Sequence, residues 1–128
     1  MTCRCGLRPF TFERLFDIAA EQSTVYEQCA HLAVADLING QSACVLVYGQ
    51  TGSGKTHTMF GDVSVDPRLP DSSLGIVPRA CAEIMGALES RRAGGFESQL
   101  HVAYVEVFGA EVTDLLRDGA TIGSSSGW

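Results

Sequence analysis

Apolar residues recur at helical spacing from Tyr26 to Ile38. Tyr26, Ala30, Ala33, Val34, Leu37 and Ile38 share one face, which predicts an amphipathic helix. Ser23 and Thr24 stand at its start, and Thr24 with Glu27 has the spacing of a capping box. Asn39-Gly40 supplies the stop. The pattern then changes. Ala43-Cys44-Val45-Leu46-Val47-Tyr48 is a continuous apolar run, as expected of a buried parallel strand. A Gly-rich stretch follows, and a helix is predicted to open at about Gly54. The stretch from Gly61 through Gly75 interrupts it with Pro67, Pro70 and several Asp and Ser, which predicts a solvated loop. The helix resumes with Pro78 early in it, where proline is tolerated. It runs to about Arg92, and Gly94-Gly95 breaks it. Leu100 to Phe108 alternates, with Val102, Tyr104, Val105, Val107 and Phe108, and predicts a strand. Val112 to Leu116 predicts a short strand or a single helical turn. Residues 1 to 9 read as irregular. From Arg117 onward, Gly, Ser and Thr predict a frayed tail. No repeat is visible, and the alternation of helix and strand predicts an α/β layout.

Composition narrows this picture little. The 128 residues suit one domain, and an apolar content of 45% is ordinary for a globular core. A formal net charge of −6 argues against a nucleic-acid surface, which is usually basic. No apolar run reaches the roughly 18 residues of a membrane span, and the first residues hold no apolar signal core. The cysteines are Cys3, Cys5, Cys29, Cys44 and Cys81, with no C-x-x-C among them. Cys29, Cys44 and Cys81 sit in apolar patterns and read as small core hydrophobes. Cys3-x-Cys5 with the distant His31, His57 and His101 makes no zinc spacing, and a reduced, cytosolic protein is expected.

The chemistry is concentrated in Gly49-Gln50-Thr51-Gly52-Ser53-Gly54-Lys55-Thr56, which fits G-x-x-x-x-G-K-[ST] at every fixed position. Glycines let backbone N–H groups turn inward around phosphate oxygens. Ser53 would contribute its backbone more than its hydroxyl. Lys55 can reach the β- and γ-phosphates, and the Thr56 hydroxyl can ligate Mg²⁺. The following helix aims its positive end at the anion. Glu106 and Glu111 could be imagined as an acid/base pair, but Glu106 lies on the predicted strand and the catalytic reading is not favoured. Arg91-Arg92 reads as a solvated helix end that complements the helix dipole.

The wider stretch Tyr48 to Gly61 resembles the nucleotide-binding loop of kinesin motor domains, Y-G-Q-T-[GS]-S-G-K-T-H/Y-T-M-x-G. Phe10-Thr11-Phe12-Glu13-Arg14-Leu15-Phe16 resembles the family's F-x-F-D-x-V-F, and Gly75-Ile76-Val77-Pro78-Arg79-Ala80 its G-I-[IV]-P-R-[AS]. Tyr104 to Gly109 and Val112 to Leu116 resemble Y-x-E-[IV]-Y-N-E-x-[IV]-x-D-L-L. The resemblance implies a partial motor domain over residues 10 to 118, with irregular ends at 1–9 and 119–128. It implies an incomplete P-loop NTPase fold, a parallel or mixed sheet with flanking helices. Gly49 through Thr56 would hold ATP or ADP with Mg²⁺ on Thr56, and His57 would pack on the adenine. Arg8-Pro9 matches only the R-P of the family's adenine-clamping R-x-R-P, with Gly6 at the first Arg position.

Microtubules are the implied partner and the cytoskeleton the implied location. Two further family motifs, N-x-x-S-S-R and D-L-A-G-S-E, do not occur in residues 1 to 128. They place water and sense the γ-phosphate, so no catalytic residue is assigned here. The microtubule-binding face also falls outside these residues, and their acidity disfavours direct attraction to an acidic microtubule. Three expectations follow. The chain is the P-loop part of an ATP-driven motor, or a nucleotide-binding module without hydrolysis or motility, or a truncated product without function. Lacking a neighbouring strand, residues 43–48 are expected to leave an edge and a face bare, which predicts marginal stability or aggregation.

Overall fold

A computed structural model describes residues 9–62, 73–117 and 120–124. Arg8, Cys3, Cys5, Pro67, Pro70 and most of the Gly61–Gly75 loop lie outside the described residues. Four helices are present: α1 (Gln22–Cys29), α2 (His31–Ile38), α3 (Lys55–Phe60) and α4 (Ile76–Ala93). Three strands follow: β1 (Val105–Phe108), β2 (Glu111–Asp114) and β3 (Ala120–Ser124).

The apolar face foreseen between Tyr26 and Ile38 is the centre of the molecule. Tyr26, Ala30, Val34 and Ile76 are buried together, with Ile38, Val45, Met59, Ala80 and Ile84 packed around them. Ile76, Ala80 and Ile84 recur every fourth residue along α4, so a single stripe meets α1 and α2. The predicted single helix is bent into two at Ala30, whose φ of −125° leaves the helical range. Ala30 is 1% exposed, and no Gly or Pro marks the bend in the sequence. The bend keeps its ladder almost intact, since Ala30 N–H donates to Tyr26 and Val34 N–H to Ala30.

The capping box does not form. The helix starts earlier, with Glu21 as N-cap and no side-chain cap bond. Gln22 is drawn into the first turn by bonds to α3, so Thr24 lies inside the helix. The stop at Asn39 is as expected, with Ile38 the last helical residue. Arg91 of α4 donates to the Ile38 carbonyl, so it caps α2 rather than standing free in solvent.

Residues 43–48 form no ladder among the described residues, contrary to the expected buried strand. Val45 and Val47 are half-buried against the helices, while Leu46 and Tyr48 are 79% and 83% exposed. The run is extended with one face covered and one bare. A parallel strand needs neighbours and two covering layers, and no described segment supplies them. The exposed edge and bare face expected of this run are present.

The observed sheet is an antiparallel meander of order β1-β2-β3, in place of the expected parallel or mixed sheet. Val105 faces Asp114 and Phe108 faces Glu111, which leaves a tight turn at Gly109-Ala110. The strand predicted over 100–108 pairs only from Val105. Ala120–Ser124 pairs with β2 through a bulge at Val112/Thr113, so this part of the expected frayed tail is a strand. Its Gly, Ser and Thr content signalled a loop, but β2 presents a free edge on which it pairs. Cys29, Cys44 and Cys81 are exposed, not core residues. The small helical core covers one side of each apolar pattern only.

Candidate functional site

The Gly-rich loop is held mainly at its exit. Gly54, at φ 90° and ψ 10°, is the N-cap of α3. That left-handed conformation is open to glycine at little cost and costs other residues about 1–2 kcal/mol. The turn before it is closed by Ser53 N–H donating to the Gln50 carbonyl at 3.2 Å. Lys55 is the first residue of α3, and its Nζ folds back over the loop. It donates to the carbonyls of Gly49 at 2.9 Å and Gln50 at 2.7 Å. Among the described residues, the N–H groups of Gly52 and Gly54 meet no acceptor.

These groups fit an anionic ligand. Residues 49–57 contain no carboxylate, and the loop offers uncommitted N–H donors beside an ammonium. The opening turn of α3 adds unsatisfied N–H groups. Thr56 is exposed in that turn and is the loop's one hydroxyl at the position suited to a cation bound with the phosphates. Among the described residues no group of metal-ligating side chains exists elsewhere.

Alone, the short α3 would not be stable. Three contacts hold it. Met59 packs on the helical core. Gly61 and Leu74 form an antiparallel bridge, with Asp62 N–H donating to the Ser73 carbonyl at 3.1 Å. This bridge closes the Gly61–Gly75 loop at its base, and the backbones touch there. A Cβ on Gly61 would lie 1.9 Å from the Ser73 carbonyl oxygen. The third contact is Gln22 of α1, which donates through Nε2 to the His57 carbonyl at 2.7 Å. The same Nε2 lies 3.0 Å from His57 Nδ1. The structure thus joins His57 to Gln22 and leaves its ring exposed at the surface.

A second polar cluster joins the helices behind the loop. Tyr26 Oη donates to Glu83 Oε2 at 2.5 Å, and His31 Nδ1 lies 3.2 Å from the same oxygen. Burial, then the bond to Glu83, holds the Tyr26 phenol well above its ordinary value. The Tyr26 hydrogen bond is the largest cause holding Glu83 below the usual carboxylate range, with burial opposing and His31 adding to it. Glu106 and Glu111 are not directly opposite each other, since Glu106 faces Thr113 and Glu111 faces Phe108; they are diagonal neighbours on the β1–β2 ladder.

The sequence reading passed over Gln22, Glu83 and the closure at Gly61 and Gly75. Gln22 did carry a signal. It stands four residues before Tyr26, in line with Ala30 and Val34, and a polar residue on an apolar stripe is buried only with partners.

The kinesin motor domain family model matches residues 4–125. The chain belongs to this family. Kinesin-like protein klp-12 of Caenorhabditis elegans is 36% identical over 127 residues, covering 94% of this chain and 8% of that protein. Kinesin-like protein KIN-5B of Oryza sativa subsp. japonica is 34% identical over 109 residues, covering 85% and 10%. Kinesin-like protein KIFC1 of Mus musculus is 36% identical over 110 residues, covering 86% and 16%. The chain thus spans a small part of the length of these relatives. No helix among the described residues is long and apolar enough to cross a membrane.

Proposed function

We propose that Gly49, Gln50, Thr51, Gly52, Ser53, Gly54, Lys55 and Thr56 bind the phosphates of ATP or ADP within a P-loop NTPase fold. In the motor, this binding would serve ATP-driven movement along microtubules in the cytoskeleton. The carrying observation is the position of Lys55 Nζ over the loop mouth, beside uncommitted N–H groups and with no carboxylate in residues 49–57. Phosphate oxygens would draw Nζ from the Gly49 and Gln50 carbonyls and take their place. Mg²⁺, held in part by Thr56, would neutralise charge on the phosphate oxygens. His57 would border the base.

Titration of the chain with a fluorescent ADP analogue, with and without Mg²⁺, tests the assignment. Lys55→Ala should weaken binding by tenfold or more, as about 1.5–3 kcal/mol attaches to a bond between charged groups. Equal binding by the two proteins would refute it.

A further inference from the structure

We propose that Gln22 is a positioning residue of the nucleotide site. It clamps the first turn of α3 to α1 through the His57 carbonyl. The proposal rests on the phosphate-loop reading above.

Gln22 is polar, yet it is 8% exposed. All its side-chain bonds from Nε2 go to one residue that lies 35 positions away in the chain. The chemistry assigns the atoms. The His57 carbonyl can only accept, so the amide group facing it at 2.7 Å must be the –NH₂. The same Nε2 lies 3.0 Å from His57 Nδ1 and 3.5 Å from His57 Nε2, so it rests against the imidazole ring while it holds the carbonyl.

The same bonds fix the backbone. The His57 carbonyl also accepts from Gly61 N–H at 2.8 Å, so its two lone pairs are both used. Lys55 and Thr56 directly precede this anchored carbonyl on a helix too short to hold its own shape. Releasing Gln22 frees the turn that carries the ammonium and the hydroxyl.

The test uses the whole chain and three variants. Gln22→Met keeps the length and loses the bonds. Val34→Ala, in the core away from the loop, controls for lost packing. Lys55→Ala reports on phosphate binding. The readouts are affinity for a fluorescent ADP analogue and amide hydrogen exchange at Thr58 and Gly61, whose N–H groups bond within the clamped turn. Expected are faster exchange at these two amides in Gln22→Met and about tenfold weaker ADP binding in that variant. Val34→Ala should leave the exchange at these amides and the affinity per folded molecule unchanged.

Unchanged exchange at Thr58 and Gly61 in Gln22→Met, or ADP affinity equal to that of the unmodified chain, overturns the proposal. So does an equal loss of affinity in Val34→Ala. If instead Lys55→Ala binds ADP as well as the unmodified chain while the exchange responds to Gln22→Met, the phosphate-loop reading fails and the clamp itself stands.

Discussion

Removing the charge of Glu83 should loosen α1 and α4 together, because Glu83 on α4 accepts from residues at both ends of the α1–α2 bend. A hydrogen bond to a charged acceptor contributes about 1.5–3 kcal/mol. Here the donor, Tyr26, is 7% exposed, while the Glu83 side chain keeps 28% of its exposure. Solvent screening lowers the expected Tyr26–Glu83 coupling to about 1–2 kcal/mol. That corresponds to about 5–30-fold in a local opening equilibrium. The perturbations are Glu83→Gln, Tyr26→Phe and the pair. The assay is amide hydrogen exchange in α1 and α4, which reads local opening even where a global transition is broad. The double variant should be less destabilised than the sum of the singles by the coupling energy. Additivity to within about 0.3–0.5 kcal/mol would mean that the two groups do not interact.

The same pair sets an acid limb. The folded-state value of Glu83 lies below its ordinary 4.5. Its contribution is therefore complete above about pH 4.5 and lost as the pH falls through the lower folded value. Protection of α1 and α4 should decline on acidification in the unmodified chain, and this part of the decline should vanish in Glu83→Gln. An identical acid profile in both proteins would remove Glu83 as its source.

Gly61→Ala should open the base of the Gly61–Gly75 loop, since its φ is +82° and the new Cβ would lie 1.9 Å from the Ser73 carbonyl oxygen. With ψ at −152° this backbone is open essentially to glycine alone and costs another residue about 1–3 kcal/mol, and the clash adds to it. Faster exchange at the Gly61 and Asp62 amides is expected, and unchanged exchange there would refute the closure. Leu46→Lys with Tyr48→Lys should reduce self-association without loss of helicity, because both side chains are mostly exposed on the bare face of residues 43–48. Sedimentation should show this, and equal association in variant and unmodified chain would exclude that face.

What the sequence made legible followed from local rules. The 3.6-residue period from Tyr26 to Ile38 located the core face, and Asn39 and Gly94 ended their helices because the stop signals there are short-range. The strand at Val105 and the α3 start after Gly54 were equally local. The failures were non-local. Val45 and Tyr48 have the same apolar character, and only their neighbours decide that one is covered and the other bare. Ala120–Ser124 is poor in strand formers, and β2 recruits it through a ladder that no window on the sequence contains. The site divided the same way. The spacing of the glycines and Lys55 is local and pointed to a candidate, whereas Gln22 reaches His57 across the fold.

The two sides of the loop are held unequally, and surface area explains why. A folded monomer of 13.6 kDa exposes about 6,600 Å² by size scaling. This chain exposes 11040 Å². Part of the excess lies at the loop entrance, where Leu46 and Tyr48 face solvent and only Val45 and Val47 rest on the helices. The exit is tied by Gln22, by the Gly61–Leu74 bridge and by Met59 in the core. On the proposed nucleotide reading, a phosphate would have to displace the Lys55 bonds to the Gly49 and Gln50 carbonyls. The cost of that rearrangement would be subtracted from the affinity that Lys55 and the N–H groups supply. Any polypeptide that pairs with residues 43–48 would order the loop entrance beforehand. On the same reading it would raise nucleotide affinity without touching the nucleotide, so the strength of the loop would depend on what covers the extended run that leads into it.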